Sequence, residues 1–148
     1  MQVGKVLVTT DFSDAANAAI TVARELAERF GATLSVLHVH EPAPTIQDRL
    51  IPKGSTRHAD ARVHAEQRLA DLASELGLEG VGLHVVMETS PIEGILKHVE
   101  AEGVDVVVMA ARGHTALERI LVGSVTERVV RHAPCAVLTV KPGHGPTP

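Results

Sequence analysis

Short β-branched runs alternate with longer segments of helical period along this chain, and that alternation restricts the fold more than any other feature. The first run spans residues 3–8. Residues 14–30 then place Ala16, Ala19, Ile20, Ala23, Leu26, Ala27 and Phe30 on one helical face. Alanine dominates that face, so the helix can approach a sheet closely, and Gly31 supplies a stop. A second run covers residues 33–39. The next helix covers residues 58–77, with Ala65, Leu69, Leu72, Ala73 and Leu76 on one face and Gly77 at its end. A third run covers residues 81–87. Ser90-Pro91-Ile92-Glu93 reads as a capping box with proline at the first helical position. The helix it opens turns Ile92, Ile95, Leu96 and Val99 inward. Residues 104–109 are apolar after Asp105, which suits a central strand buried on both faces. Ser124-Val125-Thr126-Glu127 reads as a second capping box, opening a helix that runs to His132 before Pro134 stops it. The run from Cys135 to Val140 is a fifth, buried strand.

Strand and helix in alternation imply an α/β fold: a single doubly wound, open, parallel five-stranded sheet with right-handed crossovers and helices on both faces. The 148 residues suit one domain. We expect that domain over residues 1–141, with 142–148 a flexible tail rich in Pro and Gly. Residues 41–57 interrupt the alternation with Pro42, Pro44, Pro52 and Gly54. They read as a long loop, and a lid is the alternative reading, since loops of this length are often functional.

Composition removes several function classes. No apolar run approaches the roughly 18 residues of a membrane span. Residues 1–8 carry none of the features of a secretory signal, and a single cysteine excludes an internal disulfide framework. A cytoplasmic protein is therefore expected. The 14 basic and 18 acidic residues give a net charge of −4, which argues against nucleic acid as a partner. With two Phe and no Trp or Tyr, a stacking platform for bases is absent as well. A purine would have to lie between aliphatic side chains and backbone.

In an open parallel sheet, ligands bind beyond the C-terminal ends of the strands, where the strand order reverses. Three segments fall there: Thr9-Thr10-Asp11, His38-Val39-His40, and Met109-Ala110-Ala111-Arg112-Gly113. The last leads on to Gly123-Ser124 at a helix N-terminus, a natural anion site. Phosphate cradling is the chemistry this suggests. Small residues admit backbone amides to phosphate oxygens, Ser124 can donate its hydroxyl, Arg112 adds charge, and Asp11 can accept from ribose or adenine. Ordinary turn chemistry is the competing reading, with Asp11 and Ser124 as helix caps and Gly113 and Gly123 as loop glycines.

At these residues the chain resembles the universal stress protein family, over about residues 3–141. The resemblance rests on residues 6–13, on Leu37-His38-Val39, on Gly113-His114 through Gly123-Ser124, and on residues 127–135. In the ATP-binding branch a glycine, two residues, a glycine, nine residues, a glycine and then Ser or Thr recur in order. Gly113, Gly123 and Ser124 stand in register with that pattern, and Ala110 replaces its first glycine. A methyl there strains the backbone if the site needs positive φ. It only crowds a phosphate if the site needs close approach. Thr9 stands where the family has proline, and Thr115 follows His114 where glycine is usual.

The resemblance implies strand order 3-2-1-4-5, which would bring Asp11 beside Ala110 and Gly113. It implies ATP as ligand, with Mg²⁺ as an accompanying ion, and a homodimer formed through the fifth strands, Cys135 to Val140. Asp11 and Val39 would contact the adenosine, and Met109 and Ala110 would lie near sugar and base. Gly113, Gly123 and Ser124 would hold phosphates. The candidate nucleotide-binding set is thus Thr10, Asp11, Val39, Met109, Ala110, Arg112, Gly113, His114, Gly123, Ser124 and Val125, with no catalytic or metal-binding residue. A stress-response regulator with at most slow ATP hydrolysis follows. Two alternatives stay open: an interaction protein of the same fold without nucleotide, and a binder of AMP or a cyclic nucleotide.

Other motifs carry less. His38 and His40 leave one face of a strand, but no third metal ligand can be assigned. His58, Asp60 and His64 fit a solvated helix face. Cys135 suits a core thiol. No Gly-x-Ser-x-Gly elbow, no phosphate-binding loop ending in Gly-Lys-Ser/Thr and no Cys-x-x-Cys accompany these residues.

Overall fold

The computed structural model describes residues 1–42, 56–111 and 123–141. Five strands, β1 (Lys5–Thr9), β2 (Thr33–His40), β3 (Gly82–Met87), β4 (Val106–Ala110) and β5 (Ala136–Val140), form one sheet in the order β3-β2-β1-β4-β5. Every neighbouring pair is parallel. Four helices connect them: α1 (Asp14–Phe30), α2 (Thr56–Glu75), α3 (Pro91–Glu102) and α4 (Ser124–His132). The expected α/β architecture and strand order are both present.

The two-residue period of a strand explains how the core divides. Val6 and Val8 of β1, Val36 of β2, and Val106 and Val108 of β4 pack with Ala19, Ile20 and Ala23 of α1 and Leu69 of α2. Leu7, Leu37, Val107 and Met109 point to the other face, against Ile95 and Val99 of α3 and Val129 of α4. Strands β1 and β4 are therefore apolar at consecutive positions because both their faces are covered. Each fully buried Val or Leu contributes roughly 1.5–3 kcal/mol, so these central strands carry much of the stability.

Local chemistry sets the ends of the helices. The Ser13 hydroxyl accepts the Ala16 N–H and starts α1, and Gly31, in the left-handed region at φ 63°, ends it. Ser90 accepts from Glu93 N–H, with Pro91 in the first turn of α3. Arg24 Nη1 donates to the Leu76 carbonyl at 3.1 Å, tying α1 to the chain just beyond α2. At the N-terminal end of the sheet, the Asp105 carboxylate accepts the N–H groups of Gly4 and Lys5, both at 2.9 Å. Those two bonds hold the carboxyl below the usual carboxylate range.

Four expectations need correction. Phe30 does not share the buried face of α1 but is 56% exposed. It occupies the last helical position, where Thr33 N–H already reaches the Gly4 carbonyl, so this turn overhangs the start of the sheet. Strand β5 is not a buried strand: it lies at the sheet edge, with Ala136 and Leu138 exposed. Cys135 precedes that strand and is only partly buried; burial still pushes its thiol pKa up. Finally, Ser124 is not the cap of α4. That position belongs to Gly123, and no side chain caps this helix. The helix expected from residue 58 begins at Thr56. Most of the expected 41–57 loop and the 142–148 tail lie outside the described residues. Among the described residues, no helix is long and apolar enough to cross a membrane.

Candidate functional site

From β1 the sheet grows outward through β2 to β3, and from β4 it grows the other way to β5, so the two chain directions diverge between β1 and β4. Beyond the C-terminal ends of these strands lies a cleft of about 330 Å³. Its walls come from four places. Thr9 ends β1, with Thr10 and Asp11 just after it; Leu37, His38 and Val39 lie at the end of β2, with Glu41 just beyond. Met109 and Ala110 end β4, and Gly123, Ser124, Val125 and Thr126 begin α4. Pro91 and Ile95 of α3 and Ala16 of α1 complete it.

Backbone and side-chain bonds hold these walls together. Thr10 N–H donates to the Leu37 carbonyl at 2.9 Å, which locks the end of β1 to β2. The Thr10 hydroxyl accepts Phe12 N–H at 3.0 Å, and Asp11 Oδ1 accepts Ser13 N–H at 3.0 Å. Asp11 therefore shapes the turn but does not cap α1, which is the work of Ser13. Phe12 sits at φ 66°, and among the described residues it is the one non-glycine with positive φ. Such a conformation costs of order 1–3 kcal/mol and persists only where its surroundings hold it.

Across the cleft, Gly123 N–H donates to the Ala111 carbonyl at 2.6 Å, and the Thr126 hydroxyl donates to the Ala110 carbonyl at 2.9 Å. These bonds set the first turn of α4 against the end of β4. With Gly123 as the cap, the Ser124 hydroxyl is not committed to the helix end, and the first-turn amides and positive end of the helix dipole face the cleft region. Capping as the explanation of Ser124 is thereby set aside.

Ala110 lies in the extended backbone of β4 and is not among the positive-φ residues. Its methyl packs with the α1-side core. The strained-backbone consequence of losing a glycine here does not arise.

Behind the Asp11 turn, His38 Nδ1 lies 2.8 Å from the Thr10 carbonyl. Because a carbonyl only accepts, Nδ1 carries the hydrogen in that bond. Burial lowers the imidazole pKa from its ordinary value; the Thr10 bond opposes this, and His40 and Arg68 add to it.

Of the expected site residues, Thr10, Asp11, Val39, Met109, Ala110, Gly123, Ser124 and Val125 all line this one cleft. Arg112, Gly113 and His114 lie outside the described residues. Thr9, Leu37, His38, Glu41 and Thr126 line it too and were not singled out as ligand contacts. Their adjacency to the strand ends was the available signal. Ile95 and Pro91 arrive through the packing of α3, which the sequence does not announce. Among the described residues, no three His, Cys, Asp or Glu side chains converge as a metal site.

A sequence model described as the universal stress protein family matches residues 2–141. A universal stress protein of Methanocaldococcus jannaschii is 33% identical over 143 residues, covering 93% of this chain and 81% of its own. The solved structure of universal stress protein UspA from Lactobacillus plantarum superposes with a TM-score of 0.72 at 28% identity, covering 95% of this chain and 99% of that one. A universal stress protein solved in complex with cAMP gives a TM-score of 0.63 at 25% identity, covering 95% and 98%.

Proposed function

The chain belongs to the universal stress protein family, and from that premise we propose that it is a nucleotide-binding regulatory protein of the stress response, with ATP as its ligand. One observation carries the reading: Gly123 caps α4 with no side chain, beside a cleft whose opposite wall is Asp11. The α4 end suits phosphate, since amide donors and a positive dipole need no lysine. The aliphatic stretch between Val39, Ile95 and Met109 suits an adenine ring in a chain with so few aromatics. Asp11 is the acceptor for ribose hydroxyls or the adenine amine.

Mg²⁺ fits this reading as an ion carried on the phosphates. The described residues offer it no converging set of protein ligands. Any hydrolysis is slow in this reading, because the sequence shows no evident base or water-positioning residue. We further propose a cytoplasmic homodimer joined through β5. Among the described residues its outer edge has no strand partner, and Leu138 is exposed beside it.

A second reading, AMP or a cyclic nucleotide in the same cleft, is favoured by the family member solved with cAMP. Extraction separates the two. The protein is purified without added nucleotide, denatured, and its supernatant resolved by ion exchange with detection at the nucleotide absorbance. Without Trp or Tyr the protein contributes little background. ATP or ADP in the supernatant supports the first reading; AMP or a cyclic nucleotide supports the second. An empty supernatant followed by no heat on titration with Mg-ATP, AMP or cAMP would leave an interaction protein without nucleotide.

A further inference from the structure

The Phe12 ring, next to Asp11 in the cleft wall, contacts two side chains from other elements. Arg68 Cζ of α2 lies 4.2 Å from the Phe12 ring centroid. The His38 imidazole lies 4.4 Å from the same ring, tilted by 47°. His38 also donates through Nδ1 to the Thr10 carbonyl, and Phe12 N–H donates to the Thr10 hydroxyl. Thr10, Phe12 and His38 thus form a closed circuit around the backbone that presents Asp11. Phe12 makes this circuit at positive φ, a conformation its own side chain disfavours. The Arg68 and His38 contacts on the ring, with the Phe12 N–H bond to Thr10, are what hold it there.

We propose that Phe12, in contact with both Arg68 and His38, is a positioning residue for the Thr10–Asp11 wall, and that a proton taken up at His38 Nε2 loosens this wall and weakens nucleotide binding. The proposal rests on the nucleotide reading above and adds its regulation by acid. Nδ1 already carries a hydrogen, so Nε2 is the atom that takes up the proton. The groups facing His38 are Arg68 from α2, His40 along β2 and Asp11 from the turn after β1. Two of these oppose a new positive charge and one favours it, while burial opposes it. The neutral ring is therefore the form that fits this arrangement. A group whose pKa is depressed in the folded arrangement supports that arrangement fully above its ordinary value, here 6.5. That support is lost as the pH falls from 6.5 through the folded value.

The test is calorimetric titration with Mg-ATP at about pH 8 and about pH 5.5, values that bracket histidine titration. Wild type is compared with His38→Gln, whose amide can still donate to the Thr10 carbonyl but does not titrate. Titration of the nucleotide phosphate is common to both proteins and cancels in the comparison. The wild-type affinity should fall about five- to tenfold more than that of His38→Gln between the two values, as one proton-linked step allows. Arg68→Met, which keeps an apolar contact on Phe12 and removes a neighbouring cation, should show a smaller fall than wild type. At the higher pH, Phe12→Gly frees the backbone and removes the ring, and should bind about tenfold more weakly; Phe12→Leu should recover part of that loss. Equal pH dependence in wild type and His38→Gln, or full affinity in Phe12→Gly, would overturn the proposal while leaving the nucleotide reading intact. No binding by wild type at the higher pH would overturn both.

Discussion

The hydroxyl of Thr126 donates to the carbonyl of Ala110 at 2.9 Å, joining the first turn of α4 to the last residue of β4. The two residues are sixteen apart in sequence, and Thr126 is only 5% exposed. This bond fixes the angle at which the uncapped end of α4 meets the cleft. Thr126→Val keeps the shape and removes the donor, leaving the Ala110 carbonyl short of a partner. Stability should drop by about 1–2 kcal/mol in urea denaturation. An unchanged midpoint would mean that water replaces the hydroxyl without loss.

Ala110 itself offers a second prediction. Its backbone is extended and its methyl faces the α1-side core. Ala110→Gly should therefore destabilise the fold by roughly 0.5–1 kcal/mol through strand entropy, with Mg-ATP affinity unchanged within about twofold. Markedly tighter binding would show that the methyl crowds a phosphate after all.

Gly94 of α3 approaches Val39 so closely that an added Cβ would stand 2.8 Å from Val39 Cγ1 and 3.0 Å from Cγ2. Gly94→Ala must push Val39 aside, and Val39 lines the cleft. A loss of about 1–3 kcal/mol is expected, accompanied by weaker nucleotide binding. In a Val39→Ala background the same change should be nearly neutral. A full penalty there would trace the cost to Glu88, whose Cβ would stand 3.3 Å from the added carbon, and not to Val39.

The opposed cleft walls can be tested together. Asp11→Asn keeps an oxygen for Ser13 N–H and discards the charge, whereas Asp11→Ala discards both. Gly123→Val adds bulk at the uncapped helix end. We expect Asp11→Ala and Gly123→Val each to weaken Mg-ATP binding at least about tenfold, the scale of one lost polar contact. Full affinity in both would move the nucleotide elsewhere on the protein. Asp11→Asn distinguishes a charge requirement from the turn alone.

Acid stability should depend on Asp105. Its carboxyl is held below its ordinary value of 3.8 by the Gly4 and Lys5 amides, so its contribution is full above that value and is lost as pH falls below it. Asp105→Asn should melt below wild type at neutral pH, with the gap closing at the acid end. A constant gap across the range would assign the effect to packing and not to ionisation.

The alternation of strands and helices was legible because each element announces its own period and caps. Val6-Leu7-Val8 and Val106-Val107-Val108 are apolar at successive positions, the mark of strands covered on both sides. The strand order was not in the periodicity at all and came through resemblance. The edge position of β5 was missed because an apolar run reads as buried; exposure depends on β5 lying outermost among the described strands. Gly123 displaced Ser124 as the cap for a reason outside the local sequence. The Ala111 carbonyl takes the Gly123 N–H, and that bond decides where α4 begins. Phe12 was invisible as a strained residue, since its ring contacts come from Arg68 and His38, far from it in the chain.

The Asp105 clasp lies at one pole of β1 and β4, and the cleft opens at the other. The central strands are thus anchored at the end of the sheet away from the cleft. Substitutions at the cleft pole can therefore reshape the cleft while the clasp and the double-sided core keep the chain folded. A scaffold arranged this way is free to exchange one small molecule for another over evolutionary time, or to give up small molecules altogether, without passing through an unfolded ancestor.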